Sequence, residues 1–246
     1  KKIKRFFPRE RLKKQKINQQ LIAEISEILT NTFELLVKKY ELAVSLTGGI
    51  DSRLTLASSK AHKDKIIYFT YKFDDEYGHS DDIRLATEVA SIANIKHEKY
   101  IIDSSKYTEY IELFNRNSGY LRPESQAKLV YAIYHNFPKN RIHIKSTVSE
   151  ISEGFYLRHF PPIPAFKPFL KYILSKFYNP IKEYKKFTHW AFSEFIKITE
   201  FGNFYKLGYN YYDMFYWEHR NGCWQSLQNQ DFNVVHDIFI IYNNRE

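Results

Sequence analysis

The chain has 246 residues, 43% hydrophobic and 17% aromatic, with 20 Tyr and 20 Phe, which excludes a disordered or low-complexity chain and supplies a sizeable core. Its formal charge of +9 is unevenly placed: residues 1–16 hold nine Lys or Arg against one Glu, so the other 230 residues carry only +1. A body so near neutrality does not track nucleic acid, and the basic residues are read as a solvated arm against a neighbouring domain.

A single cysteine, Cys223, excludes an internal disulfide and fits a reducing, cytoplasmic setting. The nine histidines form no close pairs in sequence and there is no Cys/His cluster, so no structural zinc site is expected. No apolar run approaches the ~20 residues that cross a bilayer. Lys1-Lys2-Ile3-Lys4 lacks the apolar stretch of a signal peptide. The absence of a starting Met and the ending Asn243-Asn244-Arg245-Glu246 suggest a piece of a longer protein.

In chain order, residues 1–16 read as an extended basic lead-in, with Arg5-Phe6-Phe7-Pro8 as an edge-strand candidate. From Asn18 to Lys39, Leu21, Ile22, Ile25, Ile28, Leu29, Phe33, Leu36 and Val37 recur at helical spacing. A strand is predicted over 41–46 and a helix from Ser52 to about His62. Ile66-Ile67-Tyr68-Phe69-Thr70-Tyr71 is β-branched and aromatic and too short for a helix, hence a buried strand. After the polar stretch from Lys72 to Ser80, Asp81 and Asp82 open a helix with Ile83, Ala86, Val89, Ala90 and Ile92 on one face. A strand follows at 97–102, a helix after Ser104, another over 124–135, and a fourth strand at Ile142-His143-Ile144-Lys145. This alternation predicts an α/β fold with a doubly wound parallel sheet and right-handed crossovers, with ligands beyond the carboxyl ends of the strands.

Past residue 158 the pattern changes. Pro161, Pro162, Pro164 and Pro168 mark a break, and the rest reads as helical, aromatic and without strands. Lys167, Lys171, Lys176, Lys182, Lys185 and Lys186 are read as a solvated face. The predicted division is a lead-in over 1–16, an α/β core over 17–158 and a helical lobe over 159–246.

The most informative stretch is Leu42-Ala43-Val44-Ser45-Leu46-Thr47-Gly48-Gly49-Ile50-Asp51-Ser52-Arg53. An apolar strand ends at hydroxyls and two glycines, then a helix begins. Such a turn offers unpaired amides and the positive end of a helix to an anion such as phosphate, with the hydroxyls of Ser45, Thr47 and Ser52 around the same point. No Gly-Lys-Ser/Thr follows, so it is not a Walker loop. The stretch resembles the Ser-Gly-Gly-x-Asp-Ser loop of the ATP pyrophosphatases, with Thr47 in first position, and most resembles the synthetase domain of asparagine synthetases. A plain β-to-α turn capped by Asp51 and Ser52 is the simpler alternative.

The resemblance implies an adenine nucleotide alpha hydrolase-like core that uses ATP and Mg²⁺. It implies that Thr47, Gly48, Gly49 and Ser52 cradle pyrophosphate, with Ser45 and Ser146 beside them. It also implies that Leu46, Phe69 and Thr70 hold adenine and that Asp51 binds metal. Lys145-Ser146-Thr147-Val148-Ser149-Glu150-Ile151-Ser152-Glu153-Gly154-Phe155-Tyr156 is similar to the family's Gly-Glu-Gly-Ala-Asp-Glu-Leu-Phe-Gly-Gly-Tyr segment. Aligned on Gly154 and Tyr156, it places Glu150 at the second metal-binding carboxylate. Ser146 and Val148 stand where the family has glycines and Ile151 where it has a glutamate. Ser80 or Asp81 reads as a helix cap, and Asp74 and Asp75 as a solvated loop. Glu218 and Arg220 resemble the family's Glu-x-Arg segment, and Arg220 is a candidate for an anionic substrate.

The expected function is an ATP-dependent, asparagine-synthetase-like amide-forming ligase, an amidotransferase part that adenylates a small-molecule carboxylate and releases AMP and pyrophosphate. Its nitrogen would come from ammonia or an amine, supplied by a glutaminase domain or subunit outside this chain. Catalysis would rest on Asp51, Glu150 and Arg220. The alternatives are a non-catalytic nucleotide-binding relative, or an enzyme that adenylates a tRNA base with the basic arm on RNA. The near-neutral body counts against the second.

Overall fold

The structure, a computed structural model, describes residues 8, 10–74, 80–103, 105–119, 122–159, 169–173 and 185–243. Arg5, Phe6 and Phe7 of the edge-strand candidate, Asp75, Pro161, Pro162, Pro164, Pro168, Lys167, Lys176 and Lys182 lie outside the described residues. The elements run α1 (Gln19–Lys39), β1 (Glu41–Ser45), α2 (Ile50–Ser59), β2 (Ile66–Phe73), α3 (Ser80–Ala93), β3 (His97–Ile102), α4 (Ile111–Ser118), α5 (Glu124–Asn136), β4 (Arg141–Lys145), α6 (Phe155–His159), α7 (Lys185–Ile198), α8 (Asn203–Lys206), α9 (Tyr211–Phe215), a π-helix (Tyr216–Gln225), α10 (Ser226–Asn233) and β5 (Ile238–Ile240). They divide into two compact units, one of residues 17–149 with 226–246, the other of 1–16 with 150–225.

The first unit is a five-stranded sheet in the order β3-β2-β1-β4-β5, every neighbouring pair parallel. The doubly wound parallel sheet expected from the alternation is therefore present. The period-2 alternation of β1 explains how both faces are covered. Leu42, Val44 and Leu46 join Leu29 and Phe33 of α1, Leu56 of α2 and Ala86 and Ala90 of α3 in one core. Ala43 and Phe69 face Phe114 of α4, Ala127, Val130 and Ile133 of α5 and Phe232 of α10 in another. Phe33 and Leu42 have no exposed surface, and each buried side chain of this size contributes roughly 2 kcal/mol. The long α1 starts at Asn18, whose side chain accepts from the Leu21 amide at 2.8 Å, a standard N-cap.

Helix α2 begins two residues earlier than Ser52 and is followed by a 3₁₀ turn over Lys60–Lys65, broken at His62 with φ −115° and ψ 19°. The larger departure is at the C-terminus. β5 pairs with β4 through His143–Ile238, Ile144–Phe239 and Lys145–Ile240, so the last stretch of chain, expected within a strandless helical lobe, completes the sheet.

The second unit is helical and held by rings. Phe169 stacks on Phe201 at 6.0 Å and 4°, and Phe192, Phe204, Tyr212 and Phe215 complete a buried aromatic cluster of the kind that dominates core energetics. In the lead-in, residues 10–16 are exposed and without regular structure, and the Leu12 amide donates to the Leu207 carbonyl at 2.7 Å.

Candidate nucleotide site

The strand order reverses between β1 and β4, which makes the carboxyl ends of these central strands the topological switch point where open α/β sheets hold ligands. The loop from Leu46 to Gly49 leaves β1 at this point and enters α2. Its hydroxyls do something other than face a ligand. Ser52 Oγ, on a residue only 5% exposed, accepts from the Thr47 amide at 3.1 Å and lies 3.0 and 3.1 Å from the carbonyls of Thr47 and Gly49. Thr47 Oγ1 accepts from the Gly49 amide at 3.1 Å and sits 3.1 Å from Ser52 Oγ. Thr47 and Ser52 thus stitch the turn together and fill two of the amides that sequence alone left open. The amides of Gly48 and Ile50 donate to no acceptor among the described residues. They are the donors that remain at the helix start.

Gly48 is demanded by a neighbour. A Cβ there would meet Cβ and Cδ1 of Leu85 in α3 at 2.7 Å, closer than packed atoms tolerate. Gly49 is extended, with φ −69° and ψ 155°, so its backbone does not require glycine.

Beside the loop lies a cleft of about 290 Å³, lined by Ser45, Leu46, Thr47, Phe69, Thr70, Tyr71, Lys72 and Asp82. Ser45, Leu46, Thr47, Phe69 and Thr70, distant in sequence, are thereby brought together. Leu46 is anchored on both sides of its peptide: its amide donates to the Phe69 carbonyl at 2.8 Å and its carbonyl accepts from Thr70 Oγ1. Thr70 Oγ1 also lies 2.8 Å from His97 Nε2. Burial, with Lys99 nearby, lowers the His97 pKa, so the ring stays neutral at neutral pH. Lys72 and Asp82, which the sequence places in a polar stretch and at the start of a helix, also line the cleft. Asp81, by contrast, pairs with Arg84 at 3.2 Å.

Beneath the loop is a hydroxyl cluster. Thr55 Oγ1 lies 2.8 Å from Ser146 Oγ and 3.0 Å from Tyr242 Oη, and Tyr242 donates to the Asp51 carbonyl at 3.0 Å. Ser146 is therefore brought to α2. Tyr242, which holds the first turn of that helix, comes from the far C-terminus and gave no signal in the sequence.

Glu150 and Arg220 belong to the helical unit. Glu150, in a 3₁₀ turn over Ser149–Ile151, accepts a short hydrogen bond from the Tyr216 hydroxyl; burial, and then this bond, push the Tyr216 pKa upward. The Arg220 guanidinium lies over the rings of Phe155 at 4.8 Å, Tyr216 at 5.9 Å and Trp224 at 4.6 Å. Its Nε is buried and has no hydrogen-bond partner among the described residues. Both stand on or against the ten-residue π-helix from Tyr216 to Gln225, a rare backbone frequent at functional sites. His219 stacks on Phe215 at 4.7 Å, and burial takes its pKa down to about 4. Burial raises the pKa of Cys223, the single cysteine of the sequence.

A parallel sheet with its strand order reversing at β1, and a Gly-Gly turn there leading into a helix, define a doubly wound α/β domain. Residues 24–117 match the family model for asparagine synthase, so the resemblance drawn from the Thr47 loop is borne out over the stretch that contains it. No curated protein matches the chain. Among solved structures it is similar to an NH3-dependent NAD synthetase from Campylobacter jejuni in complex with the nitrate ion (16% identity, 55% of this chain and 60% of that chain, TM-score 0.37). It is also similar to a glutamine-dependent NAD+ synthetase from Acinetobacter baumannii in complex with ADP (17%, 58% and 29%, TM-score 0.40). A third is an NMN synthetase from Francisella tularensis (20%, 57% and 59%, TM-score 0.37). The chain spans less than two thirds of the length of each.

Proposed function

We propose that the chain is the ATP-using part of an amide-forming ligase that adenylates a carboxylate. The observation that carries this reading is the pair of open amides, Gly48 and Ile50, at the start of α2, set at the switch point beside a cleft lined by Ser45, Leu46, Thr47, Phe69 and Thr70. The residues fit a nucleotide: the cleft would take the base and ribose, and the open amides the pyrophosphate end, favoured by the helix macrodipole.

In this reading a substrate carboxylate oxygen attacks the α-phosphorus, the bond to pyrophosphate breaks, and ammonia or an amine then displaces AMP to leave an amide. Mg²⁺, when bound, would neutralise the phosphate charge. It takes one or two carboxylates with phosphate oxygens and water, and Asp51 is the loop's candidate ligand. Glu150 is the second, with Tyr216 bonded to it, and Arg220 the candidate for substrate charge. The chain's own contribution is positioning and charge stabilisation. Asp82, on the cleft wall, would face the ribose. The nitrogen donor, a glutaminase partner and a cytoplasmic setting belong to the same proposal. Among the described residues no helix is long and apolar enough to cross a membrane.

The test is ATP–pyrophosphate exchange across a panel of carboxylic acids with Mg²⁺. Acid-dependent exchange that Asp51→Ala abolishes, with the variant's unfolding midpoint kept, is the expected result. Exchange unaffected by Asp51→Ala would remove the mechanism. A non-catalytic relative, suggested by Ile151 in the degenerate segment, would instead bind ATP and never form AMP.

A further inference from the structure

Lys145 ends β4 at the switch point. The register pair Val44–Ile144 sets it beside Ser45, a cleft residue, on the same sheet face as Ala43 and His143. Its side chain is buried, with 7% of the residue exposed. Its Nζ lies 4.9 Å from the centroid of the Phe232 ring, and among the described residues no carboxylate or hydrogen-bond acceptor reaches it. The polar groups around it are basic as well. His143, 1% exposed, has Nδ1 3.0 Å from His236 Nε2, and the remaining ring nitrogens, His143 Nε2 and His236 Nδ1, are buried without partners among the described residues.

Holding an ammonium in a largely buried side chain without a counter-charge is unfavourable, and proteins retain such groups at functional sites. The contact with Phe232 repays only a small part of that penalty. Burial lowers the Lys145 pKa to about 8. It drives the His143 pKa down, with His236 and Lys145 adding to the fall, so the histidines stay neutral and the lysine is the cation present at neutral pH. Among the described residues no acid balances it: Asp231, the carboxylate next to Phe232, is held by Arg122 at 2.8 Å. What completes such a site is an anion from outside.

We infer that Lys145 holds an oxyanion at the carboxyl edge of β4, supplied either by the α-phosphate of the nucleotide or by the carboxylate of the acid substrate. This rests on the nucleotide reading above and assigns the side of the site that the Gly48 loop does not reach. A charge-assisted bond from a buried ammonium is short and strong, and it would bring the two reacting groups to the same edge of the sheet.

The experiment compares the whole chain with Lys145→Met, which removes the charge at similar volume, and Lys145→Arg, which keeps it. Calorimetry measures binding of AMP and of Mg-pyrophosphate, and the ¹³Cε resonance of Lys145 in lysine-labelled protein, assigned by its absence from Lys145→Met, is titrated with acetate. If the phosphate is the source, AMP affinity falls about tenfold in Lys145→Met and stays within about threefold in Lys145→Arg. If the carboxylate is the source, AMP affinity holds and the Lys145 resonance moves with acetate. In both cases Lys145→Met binds Mg-pyrophosphate as before and melts no lower than the parent, because an unpaired buried charge has gone. A structural lysine would show the opposite, a lower melting point with every affinity reduced, and that result overturns the inference. So does a lysine silent to both AMP and acetate in a chain that binds Mg-pyrophosphate, which leaves the loop reading standing. Lys145-dependent AMP or acetate binding in a chain blind to Mg-pyrophosphate would fail the loop reading and keep this one.

Discussion

Val148 has φ +84°, a left-handed backbone that a β-branched residue enters at a cost of about 1–2 kcal/mol. The resembled segment has glycine there, the residue that enters this backbone without such a cost. The valine is 6% exposed, and its burial is worth about 1.5–2 kcal/mol, nearly offsetting the strain. Val148→Gly is therefore expected to shift stability by less than about 1 kcal/mol, whereas the same change at Val44 in β1 costs about 3 kcal/mol. Urea unfolding of the two variants decides it, and equal losses would show that the bend at Val148 stores no strain. The Thr47 loop was legible because its pattern is local: a strand, two glycines and a helix start within twelve residues. What the letters could not say is where each hydroxyl points. Ser52 and Thr47 bond to each other and to their own loop, and only the backbone then shows Gly48 and Ile50 as the open donors.

At the scale of elements, the site depends on β5, which no helical reading of the C-terminus anticipated. The strand signal was present in Ile238-Phe239-Ile240-Ile241, but three paired residues after a long aromatic helical stretch are too few to decide between states. Once β5 is paired, Tyr242 reaches α2 and donates to the Asp51 carbonyl at 3.0 Å. Tyr242→Phe keeps the ring and removes that bond. The expected loss is about 1 kcal/mol of stability, with Mg-pyrophosphate affinity reduced about threefold because the first turn of α2 is less firmly held. Full affinity in the variant would mean that α2 needs no such anchor. Helix α1 and the first four strands, by contrast, were legible from helical spacing and from short β-branched or aromatic runs, the signals that local pattern carries best.

At the scale of the whole molecule, charge and burial set the response to acid. His236 and His219 have pKa values brought down to about 4 by burial, from 6.5, and His143 lies well below 6.5 for the same reason. The unfolded chain takes up protons at these rings near pH 6.5, while the native chain does so at His236 and His219 only near pH 4 and at His143 only well below 6.5. The stability they contribute is thus fully present above pH 6.5 and is lost as pH falls from 6.5 toward 4, at up to roughly 1.4 kcal/mol per histidine per pH unit. Unfolding midpoints at pH 7 and pH 5 are expected to differ strongly, and a His143→Gln, His236→Gln double variant should flatten much of the dependence. A parent chain equally stable at both pH values would contradict the buried neutral pair. The His143–His236 contact spans 93 residues, so no sequence spacing announced it. It exists because β5 lies next to β4.

The claim under all of this is that the turn between β1 and α2 grips a polyphosphate through its backbone. Its most direct measurement is a backbone amide NMR titration of the ¹⁵N-labelled chain with Mg-pyrophosphate. The account expects the amides of Gly48 and Ile50 to move first and furthest and to saturate together, with Asp51→Ala weakening the response. Amides of the turn that stay in place while the ligand binds elsewhere, or no response anywhere in the chain, would contradict it.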